Sequence, residues 1–173
     1  MTLPKTKLSI GYLNHINEVK AMIFFANKLR PECNYDPIYI KKDQSFSSIP
    51  EIPSEFSIMI KGNYTSLDIS LNTSTLCCVS GFNPQNTWIE AHLSCPEFVK
   101  CAVQVEFDFE PQLGMGMDYA VDWKTYYDRK QGVICIGTYL LPCNSVNVEF
   151  NRNTGVSIVD GKIIALWIKP SFL

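Results

Sequence analysis

The chain has 173 residues, 46% of them hydrophobic and 18% charged, with a formal net charge of −2. That length fits one domain, residues 1–173, able to bury roughly 70% of its unfolded surface without a disulfide or a metal. The apolar fraction excludes global disorder. The slightly acidic balance argues against nucleic acid as the main partner, because phosphate binding needs Lys and Arg clustered on one surface.

Residues 14–29 carry the clearest helical periodicity. Ile16, Val19, Met22, Ile23, Ala26 and Leu29 recur at spacings of three and four, giving one apolar face. Asn14 is placed to cap this predicted helix, and Pro31 to end it. Beyond Pro31 the pattern changes to a period of two. A short strand is predicted over 37–40, then a Ser- and Pro-rich surface loop over 44–53. Phe56, Ile58 and Ile60 alternate with polar or flexible neighbours, Gly62-Asn63 marks a turn, and Leu67, Ile69 and Leu71 alternate again. This reads as a hairpin with one buried face. Short apolar runs at 76–79 and 88–93 are further strand candidates.

The strongest predicted strand covers 100–110. Cys101, Val103, Val105, Phe107 and Phe109 face one way; Ala102, Gln104, Glu106, Asp108 and Glu110 face the other, and Pro111 closes it. Leu113-Gly-Met-Gly-Met117 reads as a flexible Met-bearing loop. Strands are expected at 133–136, 146–150, 156–159 and 162–168. Asp160-Gly161 between the last two is a strong hairpin signal, because both turn residues need positive φ. The expected architecture is mainly β: an antiparallel sandwich or strongly curved sheet, with the N-terminal helix packed on it.

Seven cysteines, none in a Cys-x-x-Cys pair, fit free thiols better than a disulfide framework or a zinc ribbon. Residues 1–7 lack the pattern of a secretion signal, and no apolar run approaches the roughly 20 residues needed to span a bilayer. A cytoplasmic location is therefore expected, and the sequons at Asn63 and Asn72 are read as chance matches.

Chemistry leaves few candidates. The two histidines are His15 and His92, and the nearest cysteine to His92 in sequence is Cys95. A Cys–His pair there has no supporting local motif. Glu106, Asp108 and Glu110 share a strand face about 7 Å apart, a spacing compatible with acid–base work or a divalent ion, yet nothing completes either site. Neither a catalytic set, a cofactor nor a metal is expected. An acidic and aromatic stretch follows: Asp118, Asp122, Trp123, Tyr126, Tyr127 and Asp128. Together with Glu106, Asp108 and Glu110 these are the residue types that anchor an interface with a basic protein.

Gly132-Val-Ile-Cys-Ile-Gly137, Val146-Asn-Val-Glu-Phe150 and Gly161-Lys-Ile-Ile-Ala-Leu-Trp-Ile-Lys-Pro170 resemble the closing strands of small bacterial immunity proteins, in particular those of contact-dependent growth inhibition systems. The resemblance covers about the last 40 residues. It implies a cytoplasmic protein with no activity of its own, which binds the toxic C-terminal domain of a delivered effector one-to-one and blocks it. A basic, ribonuclease-like toxin would suit the acidic strand. The alternatives are a small hydrolase using strand carboxylates or a Cys–His pair, and a phage or structural assembly module.

Overall fold

The computed structural model describes residues 21–173. In chain order the strands are β1 (Met22–Asn27), β2 (Asp36–Ile40), β3 (Ser45–Ile49), β4 (Phe56–Lys61), β5 (Thr65–Ser70) and β6 (Thr75–Phe82). A 3₁₀ turn at Gln85–Thr87 leads to β7 (Ile89–Glu90), β8 (Val99–Lys100), β9 (Ala102–Phe107), β10 (Met115–Val121) and β11 (Thr125–Asp128). The chain closes with β12 (Val133–Gly137), β13 (Val146–Asn151), β14 (Thr154–Val159), β15 (Lys162–Ile168) and β16 (Ser171–Phe172).

Two sheets form. The first runs β10-β4-β5-β6-β3-β2-β16, with β9 joined to β6 and β1 joined to β9; the second runs β7-β11-β12-β15-β14-β13-β8. A shared core fills the space between them. Phe24, Tyr39, Phe56, Ile58, Leu67 and Val103 from the first sheet meet Ile134, Ile136, Val148, Phe150 and Leu166 from the second. Burial of each such side chain contributes about 1.5–3 kcal/mol relative to leaving it in water. The expected β-sandwich is thus present, but its sheets are mixed. β10 lies parallel to β4, β7 to β11, β8 to β13 and β16 to β2.

The second sheet is apolar on its outer face as well. Ile134 and Ile136 point into the shared core, while Val133 and Cys135 point outward and join Leu93, Ala165 and Trp167. Strand alternation with both faces covered explains the unbroken apolar run in β12. The cover is the segment between β7 and β8, which pair with β11 and β13 at opposite edges of the sheet. Phe98 of this segment lies so close over Gly155 that a Cβ there would meet its ring at 2.5 Å.

Both hairpins expected from the sequence form. β4 pairs antiparallel with β5. β14 and β15 are joined through Asp160 and Gly161, at φ 49° and 74°. Four expectations need correction. The strand expected over 100–110 is broken and shorter: Lys100 belongs to β8, a bend at Cys101 separates it from β9, and β9 ends at Phe107, so Asp108 and Glu110 lie beyond the strand rather than on its face. The helix over 14–29 is not formed where the chain is described: residues 22–27 are β1, paired along their full length with β9. Exposure there follows a strand's period of two, with Phe24 buried at 1% between Ile23 at 53% and Phe25 at 39%, and Leu29 of the expected apolar face is 96% exposed. Aromatic and β-branched side chains favour that pairing over the helical spacing that also fits them. Residues 14–20 of that expected helix, Asn14 included, lie outside the described residues. The 44–53 loop contains β3, in which Phe46 and Ser48 are buried. The Met-bearing loop becomes β10, because Met115 and Met117 pack on the core from alternate positions of a strand docked on β4.

Candidate partner-binding surface

β9 sets the first part of the surface. Val103 and Val105 point into the core, so alternation sends Gln104 and Glu106 outward. Antiparallel partners lie on the same face, which brings Ile23 beside Glu106 and Phe25 beside Gln104. The outer face of β1–β9 therefore presents two exposed apolar side chains next to a carboxylate. Asp108 follows the strand end. Its Oδ1 accepts a hydrogen bond from the Ala21 amide at 2.7 Å, and its own amide donates to the Ala21 carbonyl at 3.2 Å. Phe107 and Phe109 pack on Phe56, with ring centroids 5.4 and 6.2 Å away, and leave Glu110 exposed beyond them.

β10 sets the second part. Asp118 faces outward and pairs with Lys61 Nζ at 2.6 Å; both side chains are about half exposed (51% and 54%). The hydrogen bond to Asp118 and its negative charge push the Lys61 ammonium pKa up. Tyr119 points the other way. Its hydroxyl donates to the Ile163 carbonyl at 3.1 Å and accepts from the Ile163 amide at 2.7 Å, linking the two sheets. Burial pushes this phenol up to about 12. Between β1, β10 and β15 lies a cleft of about 530 Å³, lined by Met22, Met117, Asp118, Tyr119, Trp123 and Lys162, among other residues. Asp122 is exposed in the left-handed turn after β10, at φ 60°.

The rest of the acidic and aromatic stretch serves the fold. Trp123 is half-buried edge-on to Tyr119. Tyr126 packs on Tyr139, 4.5 Å away, over the outer face of the second sheet. Tyr127 enters an aromatic group with Trp88 and Phe172. Asp128 is 3% exposed. Its carboxylate accepts from the Leu93 amide at 2.9 Å and from the Gln131 amide and side chain at 3.0 and 2.7 Å. These bonds, the Leu93 amide first, hold the carboxyl well below the usual carboxylate range, with a smaller contribution from His92. Asp128 thereby anchors the segment that covers the outer face.

His92 Nδ1 lies 3.2 Å from Asp128 Oδ2, but no hydrogen bond joins His92 to Cys95, and burial raises the Cys95 thiol. Among the described residues no group of three or more His, Cys, Asp or Glu is arranged to hold a metal ion. No described helix is long and apolar enough to cross a membrane.

Of the residues singled out from sequence, the structure puts Glu106, Asp108, Glu110, Asp118 and Asp122 at the surface. Asp118 alone among these five has an ion-pair partner within the described residues. Ile23 and Phe25 were missed, because a helical reading of 14–29 hid their pairing with β9. Comparison with protein-family models, curated proteins and solved structures returns no match.

Proposed function

We propose that this chain is an inhibitory binding protein that captures a basic protein domain on the β1–β9–β10 side. More particularly, it is read as a cytoplasmic immunity protein of a contact-dependent growth inhibition system. It would form a one-to-one complex with the toxic, ribonuclease-like C-terminal domain of an effector and occlude its active site. The observation that carries this reading is the pairing of exposed Glu106 with exposed Ile23, with exposed Asp108 and Glu110 in the segment just beyond the end of β9. Apolar anchors with a charged border are how specific interfaces are built. Exposed carboxylates without an ion-pair partner keep their charge available to steer a basic domain and speed its encounter.

The resemblance in the closing strands supplies the particular identity, and the acidic surface supplies the expected charge of the partner. The reading is tested by co-expressing the chain with the toxin domain encoded by an adjacent reading frame. Rescue of growth, together with a one-to-one complex on size exclusion, is expected. Undiminished toxicity with both proteins soluble would refute it.

A further inference from the structure

A cavity of about 490 Å³ lies at one end of the second sheet, between its outer face and the segment that joins β7 to β8. None of its lining residues belongs to β1, β9 or β10, so it is separate from the partner-binding surface. The covering segment is fixed at Leu93, whose amide donates to Asp128 at 2.9 Å and whose carbonyl accepts from Gln131 Nε2 at 2.7 Å. Past that anchor Phe98 lies on Gly155, where the missing Cβ leaves room for its ring. Gly155 pairs with Trp167 across the β14–β15 ladder, and Phe98 meets the Trp167 ring edge-on, with centroids 6.5 Å apart. Phe98, Trp167 and Val133 thus give the cavity an apolar wall. Two lysines line it as well. Lys130 sits in the β11–β12 turn, which Asp128 pins through the Gln131 amide at 3.0 Å. Lys169 follows β15, and its amide donates to the Asn153 carbonyl at 2.9 Å. Both side chains are exposed, and neither has an ion-pair partner among the described residues. The lining carboxylate, Glu149, is compensated by Lys100, 3.5 Å away.

We infer that this cavity binds a small organic anion, with a ring-sized apolar body against Phe98, Trp167 and Val133 and a carboxylate or phosphate head held by Lys130 and Lys169. Its volume falls within the roughly 300–1,000 Å³ usual for small-molecule sites, which are concave, mostly apolar and oriented by a few polar groups. The apolar wall gains from any body that takes it out of water. The lysines supply charge-assisted hydrogen bonds, which favour an anionic head over a neutral one. A bare inorganic anion would leave the wall in water, and an uncharged apolar molecule would leave both ammoniums without a counter-charge. Only a molecule with both parts satisfies the two sides of the cavity.

The test titrates naphthoate, naphthyl phosphate and the uncharged naphthamide into the full chain by isothermal calorimetry. In parallel, alkylation of the thiols by iodoacetamide is followed by peptide mass spectrometry. Cys95 is exposed and lines the cavity, whereas Cys143 is exposed outside it and serves as the internal control. One equivalent of at least one anion should bind, slow the alkylation of Cys95 and leave that of Cys143 unchanged; the tighter anion identifies the head group. Naphthamide should bind about tenfold more weakly, and Lys130→Gln/Lys169→Gln should weaken the anion by a similar factor. Failure of both anions to bind wild type would overturn the inference, a result that needs no variant to fold. So would binding that leaves Cys95 alkylation unchanged, or naphthamide binding as tightly as the anions.

Discussion

The carboxylates of this protein fall into two groups with opposite surroundings. Asp68 and Asp128 are buried, at 5% and 3% exposure. Asp68 accepts from Ser54, Ser57 and Ser80 at 3.0, 2.7 and 2.7 Å and faces the Cys78 thiol; Asp128 accepts from two amides and a side chain. Glu106, Asp108, Glu110 and Asp122 are exposed and have no ion-pair partner among the described residues. A buried carboxylate must be satisfied internally or it destabilises the fold. An exposed one contributes little to stability and leaves its charge available. The first group therefore holds the architecture together, and the second is where an external partner has most to gain.

Substitutions on the two sides separate these roles. The largest effect is expected at Asp68. Asp68→Ala leaves the half-buried Ser57 and Ser80 hydroxyls and the buried Cys78 thiol without their acceptor and should cost about 2–3 kcal/mol in urea unfolding. At Asp128 the effect depends on pH. Its folded pKa is depressed, so its contribution is fully present above the unfolded value of about 4 and is lost as pH falls toward the lower folded value. Wild-type Tm should drop through that acid window, and Asp128→Asn should start lower and fall less steeply. Asp118→Asn breaks one half-exposed ion pair and should shift stability by only about 0.5 kcal/mol, less at high salt. Smallest of all, Glu106→Gln and Glu110→Gln should leave Tm unchanged within error. A large loss of stability in either would place that carboxylate with the structural group and remove it from the proposed surface.

Sequence patterning reached the local features of this fold and stopped at the non-local ones. β4–β5 and β14–β15 were legible because each is a contiguous hairpin whose alternation and turn residues agree. The outward Glu106 of β9 was legible from strand alternation alone. β1 was not: Met22, Ile23 and Ala26 satisfy a helical spacing, and only pairing with β9, about 80 residues along the chain, selects the strand. β10 was obscured by two glycines, and its parallel partner β4 is also remote in sequence. Asp128 read as an interface acid because nothing near it in sequence announces that the Leu93 amide will bond to it.

The proposal stands or falls on whether the exposed group meets a partner. Isothermal titration of the toxin domain encoded by the adjacent reading frame into wild type and into the Glu106→Lys/Asp108→Lys variant measures this directly. A loss of about tenfold or more, roughly 1.4 kcal/mol, is expected at low salt, with the gap narrowing as salt screens the reversed charges. Equal affinity of a folded variant at every salt concentration would contradict the assignment of this surface to partner binding.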